Sequence, residues 1–171
     1  MTTSIIIPAR YGSSRYRGKP LVKILGREMV LRVADICKKI KNVKVFIATD
    51  SKKIANVAKK NGYDYIFTSS ACLTGTDRVA EASKKIRSKI YINVQGDEPT
   101  IDPSDIMKVI NAKKKFPHHV ICGYDKVHDF EKAESPNLPK VVVNSKGELI
   151  YISRALVPGS KKKNKKIQYH K

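Results

Sequence analysis

Ser4-Ile5-Ile6-Ile7-Pro8-Ala9-Arg10-Tyr11-Gly12-Ser13-Ser14-Arg15-Tyr16-Arg17-Gly18-Lys19-Pro20-Leu21 decides the fold class. Ser4–Ile7 is a short apolar, β-branched run stopped by Pro8, which is how a strand buried in a parallel sheet reads. A polar loop from Arg10 to Lys19 follows it directly. Met29, Val33, Ile36, Cys37 and Ile40 then recur at three- and four-residue spacing and mark one face of a helix. Further along, Val43–Thr49, Tyr63–Phe67, Lys89–Gln95 and Val120–Val127 read as strands. Between them lie a short helix on Ile54, Val57 and Ala58 that ends at Asn61-Gly62, a helix over Thr76–Ile86, and a helix opening at Ser104 with Ile106, Val109 and Ile110 inward. Strands alternating with helices predict a Rossmann-like α/β fold: a mostly parallel sheet with helices on both faces. Lys140–Asn144 and Leu149–Arg154 flank a glycine-containing turn and predict an added β-hairpin.

The 171 residues, 41% of them hydrophobic, suffice for one folded domain. No apolar run approaches the roughly 20 residues that span a bilayer, and Met1–Pro8 has no basic region before its short apolar stretch, so no signal peptide is read there. A cytoplasmic protein is expected. Cys37, Cys72 and Cys122 are odd in number and widely separated, which points away from a disulfide framework or a zinc site. Cys37 and Cys122 read as buried thiols. The formal charge of +20 invites a polyanion-binding reading. Its distribution argues against nucleic acid, because Lys38-Lys39, Lys52-Lys53, Lys59-Lys60, Lys84-Lys85 and Lys113–Lys115 fall on the outward faces of the predicted helices. The one dense run, Lys161–Lys163, Lys165, Lys166 and Lys171, reads as a basic loop or tail.

Ligands of an open α/β sheet bind beyond the carboxyl ends of its strands, and three polar clusters stand at such ends. In the first, Arg10, Arg15, Arg17 and Lys19 bring four positive charges among small residues whose backbone N–H groups can approach an anion. That suits a polyphosphate, or an ordinary basic surface loop. It is not a Walker loop, because Pro20 stands where Ser or Thr is required. In the second, Asn93-Val94-Gln95-Gly96-Asp97-Glu98-Pro99, Asp97 can either reach a Mg²⁺ that carries substrate phosphates or cap a turn. In the third, Ser70–Arg78, Thr76 can be a helix N-cap, with Gly75 leaving space for a flat base, or simply a cap.

Taken together the clusters resemble the CMP-Kdo synthetase (3-deoxy-manno-octulosonate cytidylyltransferase) family. Residues 5–21, IIIPARYGSSRYRGKPL, are similar to its opening IIPARxxSxRxPGKPL. LTGTDRVAEA at 73–82 is similar to its SGTERLAE segment, and INVQGDEPTI at 92–101 to its NVQGDEP signature. SPNLPKVVVNSKGELIYISRALVP at 135–158 resembles its NPNxVKVV and YFSRxxIP region. Arg17 departs from the usual proline before Gly18, and Pro139 from the usual valine before Lys140; neither removes a charged group.

The resemblance implies that CTP and Kdo give CMP-Kdo and pyrophosphate, a step in lipopolysaccharide precursor synthesis. Lys19, Arg10 and Asp97 would be catalytic. Pro8, Ala9, Arg10, Gly12, Ser13, Ser14, Arg15 and Lys19 would hold the phosphates, and Gly75, Thr76, Arg78 and Gln95 the cytidine. Asp97 would bind Mg²⁺, and Arg154 and His170 would meet the sugar acid. It further implies a nucleotidyltransferase domain over 1–158, with 159–171 leading to a C-terminal part that this chain lacks and that, in the complete homodimer, supplies a second acidic metal ligand. A related acidic or amino sugar, or an inactive remnant or polyanion-binding module, are the alternatives.

Overall fold

A computed structural model describes residues 2–12, 16–159 and 167–171. Two compact units divide at Ile121/Cys122. The first contains, in chain order, strand β1 (Thr3–Ala9), a 3-10 turn (Lys19–Leu21), strands β2 (Lys23–Ile24) and β3 (Arg27–Glu28), helix α1 (Met29–Lys38), β4 (Val43–Thr49), α2 (Lys52–Lys60), β5 (Asp64–Phe67), α3 (Gly75–Ser83), β6 (Ile90–Asn93) and α4 (Pro103–Lys115). The second contains β7 (Lys140–Val143) and β8 (Leu149–Ser153).

The main sheet has strand order β5-β4-β1-β6, and every pair in it is parallel. β1 lies inside it, with Ile5 opposite both Val45 and Ile92. Side chains alternate across a strand, and β1 shows it. Ile5, Ile7 and Ala9 join Val30, Leu31, Val33, Ala34 and Cys37 of α1, Ile54 and Ala58 of α2, and Ile106 and Ile110 of α4. Ile6 faces the other way, against Ala48, Ile66, and Val79 and Ala82 of α3. Helices therefore cover both faces, which is why Ser4–Ile7 carries no polar alternation. The strand runs on through Pro8 and Ala9, further than its apolar run predicts, with Pro8 in register with Ala48. Proline ends an apolar pattern in sequence without ending an extended backbone.

Three further differences have local causes. β2 and β3 form a hairpin at Leu25-Gly26, both with positive φ (48° and 79°), the geometry of a two-residue primed turn. Leu25 hides that turn from sequence; Arg32 stabilises it by donating to the Ile24 and Leu25 carbonyls. Val120–Val127 is not a strand. Val120 is 91% exposed and Cys122 is exposed rather than buried, because an apolar run becomes a strand only beside an edge to pair with. Pairing begins at Asp125 and Val127, whose N–H groups donate to the Lys171 and Tyr169 carbonyls. The described end of the basic tail is thus antiparallel to residues 125–127, with His170 bridging Lys126 and Val141. The lysines at 161–163, 165 and 166 lie outside the described residues. The third cause is an N-cap: α3 is capped by Thr74, not Thr76. The Thr74 hydroxyl accepts from the Asp77 N–H, and the Asp77 carboxylate accepts from the Thr74 N–H, a reciprocal capping box.

Cys37 is buried among apolar side chains, and burial pushes its thiol up to about 12. The paired helix lysines are exposed, as expected; only Lys113 is half-buried, closing its helix by donating to the Pro117 and His119 carbonyls.

Candidate active site

The carboxyl end of β1 supplies Pro8 and Ala9 to a cleft of about 440 Å³ in the first unit. Arg10, Lys19, Gly75, Arg78, Gln95 and Asp97 also line it. The three polar clusters thus meet in one place, as the strand order requires: β1 and β6 are neighbours, so the loops after them are adjacent. Gly12 and Thr76 do not line the cleft, and both are exposed. Ser13, Ser14 and Arg15 lie outside the described residues.

The basic loop is closed at its base. The Gly18 N–H donates to the Tyr11 carbonyl at 2.8 Å, and Gly18 takes φ 77°, where a side chain would be strained. Tyr11 is held in turn by Lys53, whose ammonium sits 4.9 Å from the ring centroid. Lys19 then opens the 3-10 turn, and its ammonium donates to the Asp97 carboxylate at 2.6 Å. Both side chains are about half exposed. This pair joins the first polar cluster to the second across 78 residues of sequence. Beside it, Glu98 is held above the usual carboxylate range, first by desolvation and then by repulsion from Asp97.

Close packing fixes the floor. A Cβ on Gly96 would lie 2.8 Å from the Pro8 carbonyl oxygen, so the β6 loop can pass β1 only as glycine. A Cβ on Gly75 would lie 3.2 Å from Gln95 Oε1 and 3.3 Å from Pro8 Cγ. The Gln95 amide nitrogen donates to Asn93 Oδ1, and its carbonyl oxygen is left toward the start of α3. Leu73, 85% exposed, adds an apolar wall. Leu73, Tyr16, Pro20 and Met29 do not read as site residues from sequence: the first three stand in loops or the 3-10 turn, where periodicity carries no signal, and Met29 falls on the helix stripe that reads as core.

Arg78 reads from sequence as a nucleotide contact, and its chief role in the fold is different. Only 2% of its side chain is exposed; its guanidinium donates to Thr68 Oγ1 at 2.5 Å and to Asp50 Oδ2 at 3.2 Å. It is a buried cation tying α3 to the ends of β4 and β5 while one surface reaches the cleft. Removing one partner of a buried ion pair costs about 3–5 kcal/mol. Asp50→Ala is therefore expected to lower unfolding stability by roughly 3 kcal/mol in urea titration; an unchanged midpoint would mean that Thr68 alone satisfies Arg78.

Arg154 and His170 belong to the second unit. The Arg154 guanidinium donates to the Pro136 carbonyl at 2.8 Å. The His170 ring packs edge-on to Tyr124, with centroids 5.4 Å apart.

A parallel sheet that presents a closed basic loop, a carboxylate and a capped helix start at one set of strand ends has the Rossmann-like fold of the nucleotidyltransferases. A family model described as cytidylyltransferase matches residues 4–171. The chain belongs to the cytidylyltransferase family, in the branch of the 3-deoxy-manno-octulosonate cytidylyltransferases. It is 41% identical over 159 residues to the mitochondrial 3-deoxy-manno-octulosonate cytidylyltransferase of Arabidopsis thaliana, covering 91% of this chain and 55% of that protein. It is 37% identical over 161 residues to the Haemophilus influenzae (strain PittEE) enzyme, covering 92% and 63%. A solved structure of CMP:2-keto-3-deoxy-manno-octonic acid synthetase complexed with CTP superposes with a TM-score of 0.91 at 34% identity, over 99% of this chain and 70% of that one. The chain spans between 55% and 63% of the length of the two relatives. No described helix is long and apolar enough to cross a membrane.

Proposed function

We propose that this chain carries the nucleotide-handling part of a Mg²⁺-dependent cytidylyltransferase that joins CTP to Kdo. The observation that carries the reading is the Lys19–Asp97 pair at the cleft, 2.6 Å apart. A cation donor for phosphate and an oxygen donor for a metal stand within hydrogen-bond distance of each other and neutralise each other until a substrate separates them.

In the reaction the anomeric hydroxyl of the sugar acid forms a bond to the α-phosphorus of CTP. The bond from that phosphorus to the β-phosphate bridge breaks, pyrophosphate leaves, and the hydroxyl proton passes to water. Such a transfer depends on positioning and charge neutralisation. Lys19 and Arg10 would hold the β- and γ-phosphates and stabilise the leaving pyrophosphate. Asp97 fits Mg²⁺: it is a half-exposed carboxylate in the cleft, and among the described residues no cluster of three or more His, Cys, Asp or Glu forms a closed cage. Mg²⁺ bound through one or two carboxylates and substrate phosphates needs no such cage; when bound it neutralises phosphate charge. Arg154 would pair with the sugar carboxylate, a geometry Arg suits. The family resemblance supports a homodimer for the full-length enzyme, and the separated, unpaired thiols support a cytoplasmic setting.

Pyrophosphate release with CTP or UTP against a panel of sugar acids tests the reading. CTP is expected to be preferred by at least ~10²-fold, because a site built to hydrogen-bond a polar group rejects an analogue that leaves its own group unpaired. The Gln95 carbonyl oxygen is the acceptor for the cytosine amine; UTP would place a carbonyl against it. Equal rates with the two nucleotides would remove Gln95 from this role.

A further inference from the structure

The second unit holds a lysine unlike the helix lysines of the chain. Lys140, at the start of β7, is 0% exposed. Its ammonium donates to three main-chain carbonyls: Ser135 at 2.9 Å, Leu138 at 2.6 Å and Arg154 at 2.8 Å. Those bonds use all three of its donors. Among the described residues no carboxylate lies within ion-pair distance of it. A buried charge without a counter-ion is tolerated only where oxygen dipoles replace its water, and rings of carbonyls do so for K⁺.

The local sequence explains why carbonyls gather here. Ser135-Pro136-Asn137-Leu138-Pro139 contains two prolines, which accept hydrogen bonds and cannot donate them through the main chain. The Leu138 N–H donates to the Ser135 carbonyl at 3.1 Å, and Lys140 adds a second donor there and one for the Leu138 carbonyl. Arg154 is bound to the same loop at both ends: its carbonyl meets Lys140, and its guanidinium meets the Pro136 carbonyl. That second bond uses one of the five guanidinium donors.

We propose that Lys140 is the positioning residue for Arg154: its ammonium stands in for a monovalent cation, gathering three carbonyls so that the end of β8 and residues 135–139 hold the Arg154 guanidinium in place. The consequence for sugar-acid binding rests on the function proposed above; the positioning itself does not.

The test uses the whole chain. Lys140→Ala opens a hole lined by three carbonyls. Its melting temperature is expected to fall, and ammonium or potassium chloride is expected to restore it where tetramethylammonium chloride at equal ionic strength does not. The Nε–Hε NMR signal of Arg154, assigned by its loss in Arg154→Lys, is expected to move in Lys140→Ala and return with ammonium. Titration with Kdo is expected to show affinity lowered on the order of 10–100-fold, the range of a lost charge-assisted hydrogen bond, with CTP affinity unchanged. An Arg154 signal that stays in place in Lys140→Ala overturns the proposal, whatever the melting temperature does. So does recovery that is equal in all three salts. If wild type does not bind Kdo while the Arg154 signal still follows Lys140, the sugar reading falls and the positioning stands. Should Lys140→Ala fail to fold in every salt, the wild-type Lys140 ammonium decides. A slowly exchanging ¹⁵Nζ signal distinct from those of the surface lysines is expected, and one averaged with them overturns the proposal.

Discussion

Lys19→Ala is expected to lower turnover by roughly 10²–10³-fold, the cost of removing one preorganised donor from a developing anion, while leaving the fold intact. The two halves of that expectation have separate grounds. Lys19 and Asp97 are each about half exposed, and exposed ion pairs contribute about 0–1 kcal/mol, so the melting curve should barely move. Lys19 nevertheless sits in a turn pinned by Gly18 and Pro20, so its charge needs little reorganisation to meet a phosphate. The variant also frees Asp97, and titration with Mg²⁺ in the absence of nucleotide should show tighter binding than wild type. A variant with near-normal pyrophosphate release would sink the catalytic assignment of Lys19.

On the function proposed above, Asp97→Asn is expected to abolish Mg²⁺-dependent pyrophosphate release. The amide keeps the shape and one oxygen, and loses the charge that a hard cation requires. It also weakens the hold on Lys19, which loses its 2.6 Å anionic partner. Nucleotide affinity without metal should therefore be unchanged or slightly higher, so metal response and nucleotide binding move apart. Glu98 gives an internal control: with the Asp97 charge removed, one of the two causes that raise its carboxyl pKa disappears, and its titration should shift toward an ordinary glutamate. If Asp97→Asn kept the wild-type Mg²⁺ response, Asp97 would be only a turn residue.

The parallel sheet and its helices were legible because burial on both faces leaves β1 and β4 as apolar runs and the helices as 3.6-period stripes. The cleft was legible in outline, since the three polar clusters each follow a strand. The failures share a cause, namely that position in space decided what local pattern could not. Thr74 and Thr76 are equivalent as caps until Asp77 is seen closing on Thr74. Arg78 looks like the rest of the site's cations until Asp50 and Thr68 are brought to it by strands whose ends lie far apart in sequence. Lys140 resembles any surface lysine, because the carbonyls that bury it belong to a loop and to a residue 14 positions away. Val120–Val127 has the composition of a strand, and only residues 125–127 find a partner, at residues 169–171.

The order β5-β4-β1-β6 also has a consequence for synthesis on the ribosome. The first strand made is an interior one, and its second neighbour, β6, begins about 80 residues later. At about 5–20 residues per second, Ile5 and Ile6 wait several seconds for Ile92 and Asn93 after they emerge. During that interval the forming sheet ends at β1, with one ladder of backbone N–H and C=O groups open to any extended segment nearby. The residues that become the most deeply enclosed in the finished protein are thus the ones a chaperone meets first. Slowing translation before residue 90 should lengthen that exposure and raise the insoluble fraction of newly made chains.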